Sequence, residues 1–165
     1  MPADPVLRIA FASVNKPGQS GYREGWVRHH VHPMQCMRDA TLAPFLSSMR
    51  DDGFHLDDFE TNGILLPALP SQSIVSGQPL HLGGHPNYNV QIIDELHFIR
   101  TFCESIKTDS RRRNVAMCCL RGSQTRARKA IMSQRWGHVD RVVLNGRTDG
   151  DLDILIRRLV TAQTH

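Results

Sequence analysis

The sequence predicts an α+β fold, with short strands in its first half and helices towards its C-terminus. Three observations carry this. Trp26-Val27-Arg28-His29-His30-Val31-His32 reads as a short strand that Pro33 ends, because proline cannot continue a hydrogen-bonded ladder. Asn62-Gly63 is a turn signal, and the apolar run Ile64-Leu65-Leu66 before Pro67 reads as a second strand. From Pro86 onward the apolar positions Val90, Ile93, Leu96 and Phe102 recur at helical spacing, and proline suits the first position of a helix.

The other elements follow in chain order. Residues Val6 to Ala12 alternate well enough for a strand, and Lys16 to Gly21 is a loop by its turn residues. Residues 34–52 are predicted helical, with Met37, Leu42, Phe45, Leu46 and Met49 apolar and Asp51-Asp52-Gly53 as the stop. Asn62-Gly63 is expected to be a turn between short strands, and the Pro, Ser and Gly content of residues 68–80 predicts a loop. The helix from Pro86 runs to about Cys103, and residues 111–136 form a further helical or mixed segment. Residues 138–149 are expected to be strand and turn around Asn145-Gly146. Asp151 to Ala162 is read as an amphipathic helix with Leu152, Leu155, Ile156 and Leu159 on one face.

A chain of 165 residues holds one domain with a modest core, and 40% apolar with 22% charged residues is ordinary for a globular protein. No apolar run approaches the roughly 20 residues that span a bilayer, so no membrane partner is expected. Met1 to Pro5 carries no basic segment followed by an apolar one, so no secretory signal is visible. The four cysteines, Cys36, Cys103, Cys118 and Cys119, form neither a CxxC pair nor a disulfide framework. They favour a reducing compartment such as the cytosol, from which export needs specialised machinery. The net charge of +4 is unevenly spread: twelve of the sixteen acidic residues precede Arg111, and none lies between Arg111 and Arg135. Arg111, Arg112, Arg113, Arg126, Arg128 and Lys129 in that basic stretch, with Arg121 and Arg135, are therefore candidates for contacts to phosphates.

Five of the nine histidines fall in two clusters, His29-His30-Val31-His32 and His81-Leu82-Gly83-Gly84-His85. Neutral imidazole ligates borderline divalent metals and is a base near neutral pH. His81 and His85 converge on one ion if a loop carries His81 into the helix that begins at Pro86. His85 and Asn89 share the same spacing and lie more securely on that helix, which makes Asn89 a rival ligand through its side-chain oxygen. His32, His55, His97, His138 and His165 are read as packing or surface residues.

Three blocks together are specific: Arg28-His29-His30-Val31-His32-Pro33, then Asn62-Gly63-Ile64-Leu65-Leu66-Pro67, then His81-Leu82-Gly83-Gly84-His85-Pro86-Asn87-Tyr88-Asn89. In sequence and order they resemble the AHH family of predicted nucleases, within the HNH/endonuclease VII (His-Me finger) superfamily. Arg28 stands where the family's naming alanine is found. The resemblance spans roughly residues 26–103, which leaves an N-terminal extension (1–25) and a basic C-terminal extension (104–165) packed on the same domain. It implies a ββα-metal core with additional helices and a C-terminal α/β extension.

The resemblance further implies a metal-dependent endonuclease. His30 is expected to be the general base, with Asn62 shaping the ribbon and orienting it. His29, His81 and His85 are expected to hold one divalent ion, with Asn89 in reserve. Nitrogen ligands favour zinc or nickel on affinity, and magnesium also serves this superfamily. The substrate is expected to be nucleic acid, DNA before RNA, with Arg28 joining the basic residues above in contacts of low sequence specificity. A non-catalytic zinc-stabilised nucleic-acid-binding protein is the alternative. AHH domains also resemble the toxic ends of polymorphic secreted toxins, which implies an antibacterial toxin or effector delivered into a target cell and paired with an immunity protein.

Overall fold

The computed structural model describes residues 8–81 and 83–133, which form two short strands and five α-helices. Their order is β1 (Trp26–His30), α1 (Leu42–Ser48), α2 (Phe59–Asn62), β2 (Gly63–Pro67), α3 (Pro70–Ser76), α4 (Pro86–Glu104) and α5 (Asp109–Met132). The fold is α+β, as the sequence predicts. β1 and β2 pair antiparallel, with Trp26 opposite Pro67 and His30 opposite Gly63. Beyond the ladder the Val31 N–H donates to the Asn62 carbonyl (2.8 Å), so the pairing continues one step past His30.

The core sits between this ribbon and the helices. Val31, Leu42, Phe54, Leu66, Leu96, Leu120 and Ile131 are all buried within it. α4 turns Tyr88, Ile92, Leu96, Ile99 and Cys103 inward, a stripe at helical spacing. α5 does the same with Ala116, Leu120, Ala127 and Ile131, and adds the polar Ser123 and Gln124. The Arg126–Glu95 ion pair (2.6 Å) shows that α5 runs back along α4. The Tyr88 hydroxyl donates to the Val31 carbonyl and so ties α4 to the end of the ribbon.

Several elements differ from the sequence reading, each for a local reason. The expected strand over residues 6–12 is, among the described residues, a single bridge between Ala10 and Asp58 followed by one 3-10 turn, Phe11–Ser13. Burial of Phe11 turns the chain inward there. The helix expected over 34–52 is broken into a 3-10 turn, Met34–Arg38, and α1. Asp39 Oδ1 accepts from the Thr41 and Leu42 N–H groups, which offers the backbone an alternative to continuing the helix. Asn62-Gly63 is not a turn between paired strands: Asn62 ends α2, which Asp58 caps through the Glu60 N–H. The proline and glycine in 68–80 punctuate a helix, α3, with Pro70 in its first turn and Gly77 at φ +67° after its end. Residues 111–131 lie within one continuous helix, α5. The readings over 138–149 and 151–162 lie outside the described residues.

Candidate active site

Adjacent residues of a strand leave it on opposite faces, and β1 uses this at its end. His29 is buried and turns towards α4, its ring centre 5.0 Å from that of His85, 5.2 Å from His81 and 5.5 Å from Tyr88. His30 turns the other way and lies face to face on Phe11, centres 3.6 Å apart and planes within 5°. His81 is fixed by its N–H to the Pro67 carbonyl (2.8 Å) at the end of β2. Gly83, at φ +118°, then takes a bend that side-chain-bearing residues rarely adopt. His85 caps α4 immediately before Pro86.

The result is a trio. One ligand atom from each of His29, His81 and His85 lies within 4.8 Å of the others. The Nε2 atoms of His81 and His85 are 2.9 Å apart, while His29 Nε2 and His85 Nδ1 are buried with no hydrogen-bond partner. A buried polar atom without a partner is costly, and a cation at the trio would satisfy the His29 nitrogen. The residues present therefore fit a divalent metal: three imidazoles, one orphaned nitrogen aimed among them, and an opening to solvent. That opening is a cleft of about 250 Å³, lined by Arg28, Met34, Gln35 and Asn89 as well as by the four histidines.

Electrostatics keeps these rings neutral at pH 7. Burial, then repulsion from His81, His85 and His30, pulls His29 down to about 3. Burial and then His81 bring His85 down to about 4, and burial lowers His81. His30 is lowered by burial, with Asp57 opposing and Arg28 adding to the shift. A neutral ring offers a lone pair, which both a ligand and a base require.

Asn62 is fully buried and braces the ribbon. Its Oδ1 accepts from the His32 N–H (2.7 Å) and from Gln124 Nε2 (3.3 Å), and its Nδ2 donates to the carbonyls of His32 (3.0 Å) and Leu56 (2.7 Å). Its amide reaches the backbone beside His30 and makes no bond to the His30 ring. His32 is buried, with Nε2 2.9 Å from Ser123 Oγ. Asn89 lines the cleft, and its Nδ2 donates to Gln35 Oε1 (3.0 Å).

The basic residues are placed differently from the histidines. Arg28 lies at the cleft, with its Nη1 donating to the carbonyls of Phe11 (2.9 Å) and Val14 (3.2 Å). None of the α5 residues lines it. Arg112 bonds the Ile106 carbonyl and Asp109, Arg113 the Ser48 carbonyl and Asp52, Arg126 pairs with Glu95, and Arg128 caps the Glu60 carbonyl. Arg111 and Lys129 are exposed. Sequence reasoning missed Phe11, a lone aromatic in an apolar run with no spacing to mark it. It also missed Ser123 and Gln124, polar residues on the inner face of α5.

Residues 11–117 match a family described as nucleases of the HNH/ENDO VII superfamily with conserved AHH. The chain belongs to the AHH family. The match starts at Phe11, well before the ribbon, and ends inside α5. No curated protein and no solved structure matches the chain. Arg28-His29-His30, the segment that resembles the family's AHH block, closes β1. In this AHH chain Arg28 ties the Phe11–Val14 segment to the ribbon. No helix among the described residues is long and apolar enough to cross a membrane.

Proposed function

We propose that this chain is a metal-dependent endonuclease that hydrolyses phosphodiester bonds, with β1, β2 and α4 as its ββα-metal core. One observation carries the reading. His29 meets His81 and His85 within 4.8 Å, while His30, the next residue, stands outside the trio at the same cleft. The pair thus divides into a ligand and an unligated base.

His29, His81 and His85 would hold a divalent cation, which when bound would supply Lewis acidity for the charge that builds on the phosphate and the leaving 3′ oxygen. His30 accepts a proton from water as the water oxygen bonds to phosphorus and the P–O3′ bond breaks. Its lowered pKa leaves it neutral and ready for that proton. Asn62 positions the ribbon through the His32 backbone, and Asn89 and Gln35 offer polar contacts at the rim. Three histidine ligands at an open cleft, rather than four in a closed one, suit a catalytic rather than a structural metal site. The imidazole set favours zinc or nickel, and magnesium is the ion to test beside them.

DNA is the proposed substrate, cut with low sequence specificity, since no element among the described residues offers a base-reading module. Arg28 at the cleft and Arg111 and Lys129, both exposed on α5, are the proposed phosphate contacts, while Arg112, Arg113, Arg126 and Arg128 are already held by carboxylates and carbonyls. An antibacterial effector role, restrained by an immunity protein, completes the proposal. The test is plasmid DNA and total RNA incubated with wild type and His30→Ala in magnesium, zinc or nickel. Wild type nicks the plasmid faster than it degrades RNA, and His30→Ala does neither while keeping its fold. Equal cleavage by His30→Ala contradicts the reading. Cytosolic expression arrests growth with wild type and not with His30→Ala.

A further inference from the structure

We infer that Phe11, from the segment ahead of the ribbon, is a positioning residue that clamps the imidazole of His30. The inference rests on the reading of His30 as the base. A base ring is commonly oriented by a hydrogen bond from its second nitrogen. Among the described residues no hydrogen bond to the His30 ring is present, and Asn62 serves the neighbouring backbone instead. What the ring has is Phe11, stacked face to face at 3.6 Å with planes 5° apart.

The clamp is itself fixed from three sides. Phe11 N–H donates to the Asp57 carbonyl (3.0 Å), and the Phe59 N–H donates to the Ile9 carbonyl (2.6 Å), so the backbone is laced to residues 57–59. The Phe59 ring packs edge-on against Phe11, centres 5.1 Å apart. Arg28 holds the Phe11 and Val14 carbonyls from β1. Phe11 is only 9% exposed and is not among the cleft-lining residues, so it backs the base rather than touching substrate. A stacked face leaves both ring nitrogens free, one to take the proton and one to release it to solvent. Arg28 gives the clamp its tether.

The test compares Phe11→Leu, Phe11→Tyr and His30→Ala in the full chain. The readouts are kcat and KM on plasmid DNA and total RNA, zinc affinity by titration, melting temperature, and the His30 ring resonances by NMR. Phe11→Leu keeps apolar bulk and removes the flat face. It is expected to lower kcat by about tenfold to a hundredfold, with KM and zinc affinity unchanged. The ring-current shift of the His30 protons should be lost with it, and Phe11→Tyr should restore both. Full kcat in folded Phe11→Leu overturns the clamp while leaving the His30 reading intact. Activity in His30→Ala removes that reading itself. If wild type cleaves neither nucleic acid, the NMR arm decides alone: unchanged His30 shifts in Phe11→Leu overturn the clamp. Should Phe11→Leu fail to fold, a Phe11→Tyr variant whose His30 ring protons lack the upfield shift overturns it as well.

Discussion

At the scale of residues, the proposed division of labour between His29 and His30 rests on strand alternation. One change of face separates a buried ring among imidazoles from a half-buried ring on a phenyl. His30→Ala is accordingly expected to lower kcat by about 10²- to 10⁴-fold, the usual worth of a positioned base. Its zinc affinity should stay unchanged by titration. Asn62→Ala strips the His32 and Leu56 carbonyls and the His32 N–H of their partner in a buried setting. Each orphaned group costs about 1–3 kcal/mol, so the variant should lose about 3 kcal/mol or more in urea unfolding.

His32, with the trio histidines His29 and His85, contributes to the pH dependence of stability. Burial and then Arg126 pull His32 from 6.5 down to about 3 in the folded chain. The unfolded chain therefore binds the extra proton across that window, and stability present above pH 6.5 is lost as pH falls towards 3. The slope is about 1.4 kcal/mol per pH unit for one such histidine. Urea unfolding of chelator-treated protein at pH 5.5, 5 and 4.5, between the two values, should show His32→Gln losing about that much slope relative to wild type.

At the scale of elements, the histidine blocks were legible because imidazole is rare and its chemistry is specific. The helix from Pro86 was legible in its extent but not in its inner face: of the expected apolar positions only Leu96 is fully buried, Val90 and Phe102 are exposed, and the buried stripe is Tyr88, Ile92, Leu96, Ile99 and Cys103. The break at Asp39 and the helix α3 were not, since both depend on capping and punctuation that composition alone reads as loop. Asn62-Gly63 misled for a physical reason: the pair marks close packing rather than a hairpin. A Cβ on Gly63 would press into the Phe59 ring at less than contact distance. Gly63→Ala should therefore destabilise by about 1–3 kcal/mol by thermal melt, as overpacking does.

At the scale of the molecule, a cation at the trio would join the ribbon to the start of α4. It should stabilise the whole fold by mass action, by about 2.7 kcal/mol at a hundredfold excess over its Kd. The charge pattern was legible as a total and not as a surface. The basic stretch lies largely on α5, where Arg112, Arg113, Arg126 and Arg128 spend bonds on acidic partners and carbonyls that sequence spacing does not reveal. Anomalous diffraction from crystals grown with zinc tests the central claim most directly. The account predicts one peak about 2.0–2.1 Å from nitrogens of His29, His81 and His85, with His30 unligated. A peak bound by His30, or none at the trio, contradicts it.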